Sequence, residues 1–155
     1  MPTSEKSASR KARGKFAIVA AQFNSEIVDK LLSGALKALK RHGVTDKAID
    51  VIRVPGSLEL PIAALKLGAS KKYAAIICLG AVIKGDTDHY EYVCSGTVNG
   101  VTQAGLATGV PTIFGVLTCK KMKQARARVG GKEGNKGHDA AMAAIAMAKL
   151  MSRVK

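Results

Sequence analysis

The chain has 155 residues, 47% of them hydrophobic, with 16 glycines and a formal net charge of +14. That length suits one domain with a real core, and no apolar run approaches the roughly 20 residues a bilayer-spanning helix needs. Three cysteines (Cys78, Cys94, Cys119) without CxxC spacing argue against a disulfide framework, so reduced thiols packed as small hydrophobes in a cytoplasmic protein are expected. The excess charge lies near the amino terminus (Lys6, Arg10, Lys11, Arg13, Lys15) and between Lys120 and Lys136. It predicts attraction to polyanions or phosphorylated small molecules and says nothing about fold.

Residues 1–14 are rich in Ser and Arg but lack the apolar stretch of a secretory signal. They read as a flexible basic arm, disordered or strand-adding, in preference to the remnant of an organellar transit peptide. Residues 15–155 read as a single α/β domain, with no internal repeat and no linker. Phe16–Ala20 is a buried strand, and a turn at residues 21–24 follows it. Asn24 or Ser25 can cap the next helix, whose apolar face is Ile27, Val28, Leu31, Leu32, Ala35, Leu36 and Leu39. Lys37, Lys40, Arg41 and His42 suit the end of that helix, and Gly43 stops it. Ile49–Val54 is the second strand. Pro55-Gly56 breaks it, and Ser57 opens a helix to Leu67 that tolerates Pro61 in its first turn.

The third strand, Ile76–Leu79, is apolar enough to be buried on both faces. It passes Gly80, crosses Lys84-Gly85-Asp86-Thr87 and enters a helix from about His89 to Leu106. Gly109-Val110-Pro111 leads into a fourth strand, Thr112–Leu117. A basic helix from Lys120 to Arg128 follows, then GGKEGNKG, then a final helix from about His138 to Arg153. The order β-α-β-α-β-α-β-α-α predicts a mostly parallel four-stranded sheet with helices on both faces.

Ligands of open α/β sheets bind beyond the carboxyl ends of the strands, where a helix amino terminus offers free N–H groups to an anion. After strand three that position carries Thr87, Lys84 and His89. No GxGxxG follows the first strand, and GGKEGNKGH is not a Walker sequence. His42, His89 and His138 are scattered, with no Cys or His at zinc-ligand spacing. Imidazole can take and return a proton near neutrality; composition alone balances that role for His89 against a plain first-turn histidine, and its place beyond a buried strand favours chemistry. Glu59 in PGSLELP sits at the same rim, though a first-turn acid facing the helix dipole is the slightly better reading from the residues alone. Phe23, one of three phenylalanines, follows strand one and can stack on a planar ligand. Phe114 lies inside strand four, where a core role is the default. The basic run 120–128 is dense enough for at least one phosphate contact.

AAQFN, VPGSLELP, LGAVIKGDTDHY, GVPTIFGVLT and GGKEGNKG, in this order and spacing, resemble the lumazine synthase family over about residues 15–149. The resemblance implies a flavodoxin-like three-layer α/β sandwich assembled as pentamers, often twelve to an icosahedral shell. It implies condensation of 5-amino-6-ribitylaminouracil with 3,4-dihydroxy-2-butanone 4-phosphate, giving 6,7-dimethyl-8-ribityllumazine, phosphate and water, without metal or redox cofactor. By that resemblance Phe23 stacks on the pyrimidine, Asn24 lies beside the ribityl chain, and Ser57 and Glu59 hold its hydroxyls. The backbone of Val82 and Ile83 reads the ring edge, while Gly85, Asp86 and Thr87 receive the phosphate and His89 transfers protons. From a neighbouring subunit Phe114 closes the pocket, Arg128 pairs with phosphate and Lys136 lines the ring or phosphate side.

Departures from the family pattern are local. The helix after Cys119 commonly carries acids, whereas here it reads KKMKQARARV, with Arg126 where an apolar residue is usual. Asp88 puts a further carboxylate near the phosphate position. The tight GGKEGNKG connection lacks the insertion of members that stop at pentamers, so a 60-mer shell is expected, with riboflavin synthase as one candidate guest. Two competing readings remain: a basic shell or scaffold that binds polyanions such as RNA, and a flavodoxin-like binder of flavin or nucleotide without turnover.

Overall fold

The structure, a computed structural model, describes residues 14–154; the basic arm assigned to residues 1–14 lies outside them except for Gly14. Four strands, β1 (Phe16–Ala21), β2 (Ile49–Val54), β3 (Ala75–Ile83) and β4 (Thr112–Cys119), form one sheet in the order β2-β1-β3-β4. Every neighbouring pair is parallel. The two central strands are buried on both sides, so they carry continuous apolar sequence instead of alternation. Phe16, Ile18, Ile77 and Leu79 face one core; Ala17, Val19, Ile76 and Cys78 face the other. Each fully buried large aliphatic contributes about 1.5–3 kcal/mol.

Parallel strands need crossovers, and the helices supply them on both faces. Helix α1 (Ser25–Arg41) and α5 (Lys136–Arg153) cover the first core; α2 (Leu60–Ala69) and α3 (His89–Thr108) cover the second. A short helix, α4 (Met122–Ala127), follows β4. Helix α1 buries Ile27, Val28, Leu31, Ala35, Ala38 and Leu39, ends at Arg41, and is followed by Gly43 at φ 89°. Helix α5 approaches it closely because Gly137 has no side chain: a Cβ there would stand 1.9 Å from the Leu31 carbonyl oxygen. Among the described residues, no helix is long and apolar enough to cross a membrane.

Several boundaries differ from those the sequence predicts. Strand β3 runs on to Ile83, because Ala81, Val82 and Ile83 pair with Leu117, Thr118 and Cys119. Ser57–Glu59 is a 3-10 turn, and the α-helix begins at Leu60. The basic helix is six residues long instead of spanning 120–128; Gln124 Oε1 accepts from the Lys120 and Lys121 N–H groups at its start. The glycine-rich connection folds into a hairpin, β5 (Val129–Gly131) with β6 (Gly134–Asn135), too short to show a side-chain period. Helix α5 starts two residues earlier than predicted, because Asn135 Oδ1 accepts from Gly137 N and His138 N.

Candidate active site

Strand order decides which loops meet. β1 lies between β2 and β3, so the segments leaving their carboxyl ends converge on one cavity of about 540 Å³, within the usual range for small-molecule sites. Phe23 and Asn24 come from the end of β1, and Ser57 and Glu59 from the turn after β2. Val82, Ile83, Gly85 and Thr87 come from the end of β3 and its loop, and His89 from the first turn of α3. A larger depression of about 630 Å³ lies near the opposite, amino end of β3, lined by Ile62, Leu65, Tyr73 and neighbours. Lys66, Ser70 and Lys72 also line it, but no carboxylate or imidazole does, so the carboxyl-end cavity, which gathers both with a hydroxyl, is the better site for proton transfer.

Backbone bonds hold the rim in place. Gln22 N donates to Val54 O at 2.8 Å and Phe23 N to Pro55 O at 3.0 Å, extending the β1–β2 pairing into the loops. Asn24 adopts φ 60°, a left-handed conformation that Asn tolerates better than most residues. Its side chain makes no cap for α1, contrary to expectation; the amide donates to Ala81 O at 2.8 Å. Phe23 is left 72% exposed, with its ring free to take a planar partner. Ser57 is buried directly over Gly80, where a Cβ would stand 2.5 Å from Ser57 Oγ. At the other end, Thr87 Oγ1 accepts from His89 N at 3.3 Å, the side-chain cap that Asp88 does not provide. His89 itself is exposed.

Residues outside the sequence-derived set also line the cavity. Leu58 sits between Ser57 and Glu59, and Tyr90 and Val93 form the inward side of the first turns of α3. The available signal was the helical spacing of Tyr90 and Val93, three residues apart, with Val93 four on from His89. Tyr90 is half-buried, and burial is the main cause holding its phenol above the ordinary value. Burial likewise pushes the Cys78 thiol up to about 12 and raises those of Cys94 and Cys119, so all three free thiols stay protonated at neutral pH.

Lys84, offered as a cation beyond β3, does not line this cavity, nor do four of the residues given roles by the family resemblance. Asp86 is exposed in the loop beside it. Phe114 belongs to the edge strand β4, whereas Arg128 and Lys136 flank the β5–β6 hairpin, which lies against α1. Phe114 pairs in register with Cys78, well before the carboxyl end of β3, and is 37% exposed. Arg128 donates to Gln124 O at 2.9 Å, and Lys136 Nζ lies 3.6 Å from Asp139. Arg126 pairs with Glu26 at 3.2 Å, which accounts for a charge at a position expected to be apolar. Among the described residues, no three His, Cys, Asp or Glu come together as metal ligands would.

A four-stranded parallel sheet with helices on both faces, a 540 Å³ cavity at its carboxyl end and a histidine on a helix first turn define a flavodoxin-like α/β protein built to hold a small molecule. Residues 13–152 match the family described as 6,7-dimethyl-8-ribityllumazine synthase. Over 146 residues, 94% of each chain, the sequence is 56% identical to the 6,7-dimethyl-8-ribityllumazine synthase of Desulfotalea psychrophila (strain LSv54 / DSM 12343). The chain belongs to the 6,7-dimethyl-8-ribityllumazine synthase family.

Proposed function

We propose that this cavity condenses 5-amino-6-ribitylaminouracil with 3,4-dihydroxy-2-butanone 4-phosphate to form 6,7-dimethyl-8-ribityllumazine, the penultimate step of riboflavin synthesis. The observation that carries the reading is the mix of groups gathered in one cavity: an exposed ring and a carboxylate (Phe23, Glu59) from the segments after β1 and β2, and a glycine, a hydroxyl and an imidazole (Gly85, Thr87, His89) from the segment after β3. The chemistry is imine formation with loss of water, departure of phosphate, and closure of the second ring with loss of a further water. None of these steps needs a strong protein nucleophile. Holding two reactants together supplies up to about 7–11 kcal/mol in well-oriented cases, and donors near Thr87 stabilise the leaving phosphate as its charge develops.

In this reading Phe23 stacks on the pyrimidine, Asn24 flanks the ribityl chain, and Ser57 and Glu59 bind its hydroxyls. Val82 and Ile83 offer backbone groups to the ring edge, Gly85, Asp86 and Thr87 take the phosphate, and His89 moves the protons. Phe114, Arg128 and Lys136 of an adjacent subunit complete the site. Support comes from the exposed apolar rim of the cavity at Phe23 and Leu58, and from the edge position of β4. The assembly is then a pentamer, and a 60-mer shell given the tight β5–β6 turn, with riboflavin synthase as a candidate guest. Its setting is the cytoplasm, in keeping with three unpaired thiols. Mixing the two substrates with purified protein and following the lumazine chromophore tests the function; absence of the product overturns it.

One observation favours a second reading, a basic shell that holds polyanions such as RNA: Lys120, Lys121 and Lys123 are exposed, and none forms an ion pair among the described residues. Such binding weakens steeply with salt. Nuclease-treated particles free of nucleic-acid absorbance, with no salt-dependent retention, exclude it.

A further inference from the structure

A second concavity, of about 420 Å³, lies between α1 and the β5–β6 hairpin with the start of α5, and shares no residue with the catalytic cavity. From α1 it is lined by Lys30, Ser33, Gly34, Lys37, Ala38 and Arg41, spacings that put them on one helical stripe. Lys30, Lys37 and Arg41 are exposed and reach no carboxylate among the described residues. The other charged residues of α1 are all paired: Glu26 with Arg126, Asp29 with Arg53, and Lys40 with Asp46. Three cations are thus unpaired on the one face that looks into a groove.

The opposite wall is Val129, Gly130, Asn135 and His138. No carboxylate lines the groove; Asp139, outside it, holds Oδ1 3.5 Å from His138 Nδ1. Asn135 fixes the gap between the walls. Its Nδ2 donates to Lys30 O at 3.1 Å, and its Oδ1 accepts from Gly137 N and His138 N at 2.8 and 3.1 Å. Gly34 permits that approach, since a Cβ there would stand 2.3 Å from Asn135 Oδ1. The groove is therefore set by packing and does not depend on the chance positions of long side chains.

We propose that this groove binds a short polyphosphate chain, free or as part of a nucleoside triphosphate. Lys37 and Arg41 stand one turn apart, about 6 Å along the axis, so their long side chains can converge on one short phosphate chain, with Lys30 two turns away at the other end of the groove. Lysine acts there as a point charge and arginine as a two-pronged donor, with the Ser33 hydroxyl between them. No aromatic ring lines the groove, so the phosphates and not a base are read, and single-stranded nucleic acid, which uses stacking platforms, fits less well.

The test is calorimetric titration of the full-length protein with inorganic tripolyphosphate and with ATP. It compares the parent with Lys37→Gln/Arg41→Gln, Lys37→Glu/Arg41→Glu and Arg128→Ala. Tripolyphosphate should bind the parent, more weakly as salt rises, lose at least about tenfold in affinity in both α1 double variants, and be unaffected by Arg128→Ala. Equal affinity for ATP identifies the bare phosphate chain as what is recognised, whereas tighter ATP binding identifies the nucleotide. Lumazine formation at the parental rate by the Gln double variant shows its fold intact. No binding by the parent overturns the proposal. So does affinity lost in Arg128→Ala but kept in the double variants, or bound single-stranded RNA that tripolyphosphate fails to displace.

Discussion

The Asn24 carboxamide, on the loop after β1, donates to the Ala81 carbonyl of β3 at 2.8 Å and so joins two sides of the catalytic cavity. Asn24→Ala removes that bond and leaves a residue poorly suited to φ 60°. A loss of about 0.5–1.5 kcal/mol is expected for the bond, with a further loss for the backbone. Asn24→Gly should recover the backbone part in urea melts yet keep the raised KM for the pyrimidine substrate. If both variants matched the parent in KM, the bridge would have no role in shaping the site.

His89→Ala is expected to slow turnover by up to about 10²–10⁴-fold while leaving residual activity, because much of the rate gain comes from juxtaposing two substrates. Stopped-flow rates across the pH range check this. Identical profiles for variant and parent remove His89 from proton transfer.

Arg128→Ala should raise the KM for the phosphorylated substrate more than for the pyrimidine. If the site lies between subunits, dissociating and reassembling a mixture of His89→Ala and Arg128→Ala subunits restores part of the activity, because some interfaces then carry both native residues. No recovery in verified mixed oligomers would falsify the shared site.

At the amino edge of the sheet, Tyr73 donates to Asp50 at 2.6 Å and Lys15 pairs with the same carboxylate at 2.8 Å. The Lys15 hydrogen bond, then that from Tyr73, holds Asp50 below its usual range. Its stabilisation is present above the unfolded carboxylate value and is lost as pH falls through the depressed one. Accepting the phenol proton pushes Tyr73 up to about 12, so its contribution is full below the ordinary phenol value and disappears as pH rises through about 12. Melting temperature against pH should show a shallower acid limb in Asp50→Asn and a shallower alkaline limb in Tyr73→Phe; unchanged limbs would dissolve the clamp.

Two glycines should respond in opposite ways. Gly137→Ala meets the Leu31 carbonyl and is expected to cost about 3 kcal/mol or more. Gly85→Ala meets nothing within 4 Å, so its melting temperature should stay at the parental value while activity falls, because the cavity narrows where phosphate is proposed to sit. A Gly85→Ala enzyme with full activity would place the phosphate elsewhere.

Strand and helix order could be read directly because the central strands are buried on both faces and α1 keeps a strict apolar stripe. Phe16–Ala20 and Ile76–Leu79 therefore stand out without any tertiary information. The β5–β6 hairpin could not be read this way: its strands are three and two residues long, below the length at which a period exists. The α5 start is hidden for a related reason, since Asn135 acts through a cap that composition does not reveal. Tyr90 and Val93 carry no chemistry that marks them as site residues in sequence; only the packing of α3 turns them to the cavity.

By itself the sequence determined the alternation of strands and helices, the family, and the residues with chemistry worth naming, because local periodicity and ordered motifs survive in one dimension. Only the tertiary structure decided which of those residues meet. Sheet order β2-β1-β3-β4 sets Phe23, Glu59 and His89 around one cavity and leaves Phe114, Arg128 and Lys136 outside it. Both outcomes follow from the sheet register and helix packing, which join segments distant in the chain.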